Sequence, residues 1–426
     1  MKNYLDNITP DSFSGKVFAY EGIKNTVTLI NGPTGCKFYH SATSDNQEIR
    51  QFEFDPLNYP EMWYFGQPRV PCTYLDKRDY VYGSKDKIIE AIKFLKSYIK
   101  MDLLVIVNSP GAALIGDDLN GIVEGLIDIP IITDQSPGYS MPFCKGYDDS
   151  ILNLLKTIGV KEHEKKFKTV NILGMSIFDK YHQGDIEELE YMLNLCDIKV
   201  NTFLGVNSTL TEIKKITEAE LNIVIKQECS EKTKEYLESI GMKTYIHGPV
   251  IGFDSSELFI SEVCRLLDAN PNKALDYSKK ARAKAYIHLS RLNSLTSLPK
   301  NATYSVKGRY SLCAAYVSFL SKYFGMRLCS IEVLDSKIDC SREILTDELM
   351  SIDRISALDN SILENPGEMV FADGNTIAKL KLAKYKFSGI EIGLPSLGYV
   401  DVISKTHMGV KGSLMITEQV INGLLF

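Results

Sequence analysis

The stretch 102–119, DLLVIVNSPGAALIGDDL, constrains the fold of this 426-residue chain more than any other. Leu103, Leu104, Val105, Ile106 and Val107 form an unbroken apolar run rich in β-branched side chains. That is the pattern of a strand covered on both faces in a parallel sheet. Asn108, Ser109 and Pro110 stop the strand. A helix is expected to begin near Gly116, with Asp117 and Asp118 in its first turn, where carboxylates suit the positive end of the helix dipole. The stretch 22–36 repeats the arrangement, with strand 27–30 running into NGPTGC. Ligands of open α/β sheets gather at the carboxyl ends of the strands, so the Cys36 loop and the Ser109 loop can meet at one site.

The same alternation continues. Strands at 27–30, 103–107 and 129–133 alternate with helices at 85–99, 116–126 and 148–158, which implies parallel pairing through right-handed crossovers. Between them, 38–82 is rich in Tyr, Phe and Pro and holds the only tryptophan, Trp63. It reads as an aromatic excursion over the end of the sheet. The charged run KEHEKKFK (161–168) breaks the series. A second series follows, with strands at 169–174, 199–204, 221–225 and 243–247, helices between them, and Asp185 and Ser230 as N-caps. Helix 272–291 closes it. A third series has strands at 302–306, 327–334, 369–371 and 389–392 and a last helix at 411–425. Too long for one core, the chain divides into 1–165, 166–298 and 299–426.

Composition excludes several classes. A net charge of −6 gives no basic footprint for nucleic acid. No apolar run approaches the roughly 20 residues of a membrane span, and residues 1–11 carry neither a signal-peptide core nor a transit pattern. A cytoplasmic protein without membrane or nucleic-acid partners is expected. The nine cysteines lack any C-x-x-C spacing, so a disulfide framework is not expected, and Cys196, Cys264, Cys313 and Cys329 read as buried apolar residues. His40, His163, His182, His247 and His288 form no ligand spacing.

Seven motifs in order carry a resemblance: GIKNTVTLINGPTGC (22–36), DYVYGSKDKIIEAI (79–92), DLLVIVNSPGAALIGDDL (102–119), SPGYSMPFCKGYDD (136–149), NIVIKQECSEKTKEYL (222–237), FADGNT (371–376) and MGVKGSLMITEQVING (408–423). With them the chain resembles nitrogenase component I and its relatives, the dark-operative tetrapyrrole reductases and the cofactor-assembly scaffold, and is closer to the β-type subunit. The resemblance implies an α/β fold of three Rossmann-like domains, each with a mostly parallel sheet flanked by helices. It also implies pairing with itself or with an α-type homologue as a dimer or tetramer, and an iron–sulfur cluster at the subunit junction. Low-potential electrons would come from an ATP-hydrolysing iron protein, ATP acting only through that partner.

Within the resemblance, Cys36 matches the family's central cluster cysteine. The family's first cysteine falls at Asp11, a carboxylate, and its third at Ser109, a poorer iron ligand than sulfur. Cys72 compensates in part. Two thiols from each half of a symmetric dimer suit a 4Fe-4S cluster better than the larger eight-iron type. His40, four residues after Cys36, reads first as a polar residue of the aromatic loop, and alternatively as a group that tunes the cluster. At the cysteine position that holds a second metal cofactor in the nitrogen-fixing members, this chain has Lys226, with Cys229 three residues on. His407, one residue before Met408, misses the histidine position and reads as a surface or capping residue. The expected function is reduction of a small molecule or tetrapyrrole by an anaerobic redox subunit. The alternatives are a metal-cofactor assembly scaffold and a cluster-free partner subunit.

Overall fold

In the computed structural model, residues 10–36, 70–136, 141–334, 340–394 and 401–425 are described. They form three parallel sheets. The first joins β1 (Thr26–Asn31), β2 (Leu103–Asn108) and β3 (Ile131–Asp134) in the order β1-β2-β3. The second has the order β5-β4-β6-β7, from β4 (Lys166–Leu173), β5 (Lys199–Phe203), β6 (Ala219–Val224) and β7 (Lys243–Ile246). The third has the order β11-β10-β8-β9, from β8 (Thr303–Gly308), β9 (Arg327–Val333), β10 (Met369–Asp373) and β11 (Ser388–Gly393).

The second and third sheets share one topology: second strand, first, third, fourth. The first sheet has it in outline, because residues 71–75 run parallel along the free edge of β1. Ile30 N–H donates to Pro71 O (2.9 Å), Thr73 N–H to Ile30 O (3.0 Å) and Leu75 N–H to Gly32 O (3.1 Å). Cys72 therefore stands where the second strand stands in the other two sheets. Each sheet reverses strand order between its first and third strands, and that crevice is where open α/β sheets take ligands.

β1 and β2 are buried at every residue, as their apolar runs require. Their alternate side chains feed two cores. Ile30, Cys72, Leu103, Val105 and Val107 join the large cluster shared with the other units. Val27, Leu29, Leu104 and Ile106 pack under the helix Lys85–Tyr98.

Several helix boundaries differ from the pattern reading. The helix expected from Gly116 is the short Leu119–Val123, and Gly116 sits at φ +80° in the turn before it. The Asp117 carboxylate instead serves another helix, accepting from Ser84 N (2.6 Å) and Ser84 Oγ (2.7 Å) at the start of Lys85–Tyr98. Asp185 does not cap its own helix, His182–Asn194, either. It lies buried inside it and accepts from Met408 N (3.1 Å), just ahead of the helix Gly409–Leu425. A helix at Ser12–Glu21, buried at all ten residues, has no amphipathic period to announce it. It crosses Phe143–Ile158 so closely that a Cβ on Gly15 would collide with the Phe143 carbonyl, and one on Gly146 with the Ser12 carbonyl.

No disulfide framework is present among the described cysteines, but Cys144 and Cys229 are joined in one disulfide across 85 residues of sequence. Cys196, Cys264 and Cys313 are buried as expected, whereas Cys329 is half-buried. Trp63 and His40 lie outside the described residues. Among the described residues no helix is long and apolar enough to cross a membrane.

Candidate functional site

Cys36 follows β1 and Ser109 follows β2, so the two flank the crevice of the first sheet. Gly32 makes their approach possible, since a Cβ there would lie 2.5 Å from Ser109 Oγ. Burial pushes the Cys36 thiol above its ordinary range, a hydrogen bond from the Ser109 hydroxyl pulls it back in part, and the nearby Asp11 carboxylate pushes it up again. The thiol is therefore protonated at neutral pH in the metal-free chain.

Asp11 caps the helix Ser12–Glu21, accepting from Ser14 N (3.1 Å). Ser109 caps the turn Pro110–Ala113, accepting from Ala112 N (3.3 Å). Cys72 is 4% exposed and belongs to the large core cluster, against which the half-buried Cys36 packs. Cys36 thus meets Ser109 and feels the Asp11 charge, while Cys72 stands on the adjoining strand edge. Among the described residues no three His, Cys, Asp or Glu side chains gather as a metal site.

A second candidate lies where the crevices of the other two sheets face each other. It is a small cleft, lined by residues that follow β4 (Phe178, Asp179, Lys180), β6 (Lys226) and β8 (Arg309) and by Asp373, which ends β10. Its cations are already partnered. Lys180 Nζ lies 2.5 Å from Glu391 Oε2 and 2.6 Å from Asp401 Oδ2. Lys226 Nζ lies 2.5 Å from Asp179 Oδ1. Lys307 donates to Thr376 Oγ1 (2.9 Å) between Glu332 and Asp373, and the Arg309 guanidinium lies 4.6 Å from the Phe143 ring centre. Burial alone would raise the Asp179 carboxyl, but the Lys226 ammonium, the Arg309 guanidinium and the Ser176 N–H together outweigh it and hold the group below its ordinary value.

His407 corrects the sequence reading: it is 2% exposed and lines this cleft. Its Nδ1 is 3.0 Å from the Tyr316 hydroxyl and its Nε2 is 3.2 Å from Asp185 Oδ2. Nothing in the local sequence announces this, because the partners lie 91 and 222 residues away.

Crevices in three sheets of like strand order, with a thiol at the first, define an architectural class. Residues 12–425 match the nitrogenase component 1 type oxidoreductases, and the chain belongs to that family. It is similar to a β-type subunit of the light-independent protochlorophyllide reductase of Roseobacter denitrificans, at 26% identity over 206 residues, 48% of this chain and 40% of that protein. The corresponding protein of Jannaschia sp. is 27% identical over 210 residues, 49% of this chain and 40% of that protein. The chain spans about 40% of the length of these relatives. That both are β-type agrees with the resemblance read from the motifs. The structure of nitrogenase Cp1 at pH 6.5 shares the fold, with a TM-score of 0.78 at 14% identity over 98% of this chain and 93% of that one.

Proposed function

We propose that this chain is the redox subunit of a multi-subunit reductase, with Cys36 and Cys72 contributing thiolates to an iron–sulfur cluster, of 4Fe-4S type, shared with a second polypeptide. The observation that carries the reading is Cys36 itself: a half-buried thiol at the crevice of the first sheet, in hydrogen-bond contact with Ser109 and within the field of Asp11. The donor set suits the group. Soft sulfur ligands match iron–sulfide, and two thiols on one chain are half of the four that such a cluster takes. The bound cluster would supply reversible one-electron storage.

This chain's residues do the rest. Cys36 and Cys72 grip the metal from adjacent strand edges, and the Ser109 hydroxyl tunes the Cys36 sulfur. The crowded charges of the cleft orient a polar small molecule or tetrapyrrole between the second and third sheets. Electrons come from an ATP-hydrolysing iron protein. The names of the protochlorophyllide reductase relatives support a tetrapyrrole.

The test is anaerobic reconstitution with ferrous iron and sulfide, followed by iron and sulfide analysis and EPR on wild type and Cys36→Ala. The wild type is expected to hold iron and give a cluster signal that the variant lacks. A variant with the full signal overturns the ligand assignment. A second reading, a cluster-free partner subunit, is favoured by one fact: Asp11 and Ser109 both spend their side chains capping helical turns. A wild type that takes up no iron selects it. Repeated turnover with reductase, ATP and substrate separates an enzyme from an assembly scaffold, which releases its cargo once.

A further inference from the structure

The face of the first sheet opposite Cys72 carries a buried chain of polar side chains where an apolar core would otherwise continue. Asn31 and Asn108 end β1 and β2 on the side that packs under the helix Lys85–Tyr98, and Thr73 and Ser84 join them. All four are 3% exposed or less. Asn31 is the hub. Its Nδ2 donates to Asn108 Oδ1 (2.9 Å) and to Ser84 Oγ (3.0 Å), and its Oδ1 accepts from Thr73 Oγ1 (2.9 Å).

The direction of every bond is fixed by its neighbours. Thr73 Oγ1 accepts from Gly32 N (3.0 Å), so its own proton goes to Asn31. Ser84 Oγ gives its proton to Asp117 Oδ2 (2.7 Å), so it accepts from Asn31. The result is one polarised chain running from the Gly32 amide through Thr73, Asn31 and Ser84 to the half-buried Asp117 carboxylate. A fully satisfied buried chain of this kind is rigid and specifies one arrangement, whereas a broken one leaves unpaired groups that cost about 1–3 kcal/mol each.

Every strand-end loop of the thiol corner starts from a member of this chain. Thr73 follows Cys72, Asn108 precedes Ser109, and Asn31 and Gly32 open the loop that ends at Cys36. We infer that Asn31 and Thr73 are positioning residues of the corner: on the far side of the sheet, they set the register of the three loops that present Cys36, Cys72 and Ser109. The inference rests on the reading of Cys36 and Cys72 as cluster ligands. Apolar residues would give the sheet its stability here. The polar chain adds a fixed spacing between loops, and Asp117 fastens that spacing to the helix Lys85–Tyr98.

The experiment compares Thr73→Val, which keeps shape and loses the hydroxyl, with Thr73→Ser, which restores it. Asp117→Asn keeps an acceptor at the far end and removes the charge. After anaerobic reconstitution, Thr73→Val is expected to hold as much iron as wild type but to give a broadened EPR line and a displaced midpoint potential. Thr73→Ser is expected to return both to wild type, and Asp117→Asn to show a smaller displacement in the same direction. A Thr73→Val protein with wild-type line shape and potential, but lower resistance to urea, overturns the inference and leaves the network a purely structural role. If wild type takes up no iron, the ligand reading has failed and the metal-free chain decides the positioning. Several-fold faster Cys36 alkylation by iodoacetamide and faster Gly32 amide exchange in Thr73→Val, but not in Thr73→Ser, support it. Unchanged rates overturn it.

Discussion

The thiol corner and the cleft between the second and third sheets occupy the same topological place, the carboxyl ends of strands where a sheet reverses its order, and they are filled with opposite chemistry. Among the described residues the corner offers two thiols, a hydroxyl and the carboxylate of Asp11. The cleft holds Lys180, Lys226, Lys307 and Arg309 against Asp179, Glu391, Asp401 and Asp373. In the cleft the buried lysines are matched within the chain, so breaking a pair strands its partner. In the corner, burial keeps Cys36 protonated until something replaces the proton. One fold supplies both because the crevice position is fixed by topology, while its chemistry is fixed by whichever few residues follow each strand.

The comparison breaks if damage in one region shows up as the signature of the other. The largest effect expected is complete loss of reconstituted iron in Cys36→Ala with an unchanged circular dichroism spectrum. Lys226→Met, altered only in the cleft, should keep its iron. Next, Lys180→Met leaves Glu391, 1% exposed at its side chain, without its lysine, while Asp401 keeps Lys405. It should cost about 3–5 kcal/mol in urea denaturation, and pairing it with Glu391→Leu should recover part of that loss.

A smaller effect appears on acidification. Because the Asp179 carboxyl is held below its ordinary value in the folded chain, its contribution is present above the unfolded pKa of about 3.9 and fades as pH falls through the lowered folded value. In Lys226→Met only Arg309 and the Ser176 N–H still oppose burial, so the protonated form gains. The thermal midpoint of that variant should therefore fall less steeply than wild type between pH 5 and pH 3. The smallest effect sharpens the corner. Ser109→Ala removes the bond that pulls the Cys36 thiol down, so the pH profile of iodoacetamide alkylation should move upward, and Asp11→Asn should move it downward.

Much of the scaffold is legible in the residues. All eleven strands expected from apolar runs are found, most within a residue or two at each end. Burial on both faces leaves a mark at every residue of a strand. Helix starts are less legible. The carboxylates at Asp117 and Asp185 mark helix N-termini, as their charge suggests, but those of neighbouring helices. The dipole that attracts them is the same, and the sequence does not say whose it is. Asp148 does likewise, accepting from Lys232 N (2.7 Å) and Thr233 N (3.0 Å) at the head of the helix Glu231–Ser239. The helix Ser12–Glu21 stays hidden because total burial erases the period that reveals a helix.

The sequence by itself determined the alternation of strand and helix, the three series and the family, because these rest on patterns a few residues long repeated down the chain. Only the tertiary structure decided that residues 71–75 stand in for a missing strand beside β1, that His407 is a buried cleft residue facing Asp185, and that Asn31 joins three loops into one frame. Those facts depend on contacts across tens to hundreds of residues. Their energies come from desolvation and hydrogen-bond direction, which have no counterpart in local sequence until the chain has closed on itself.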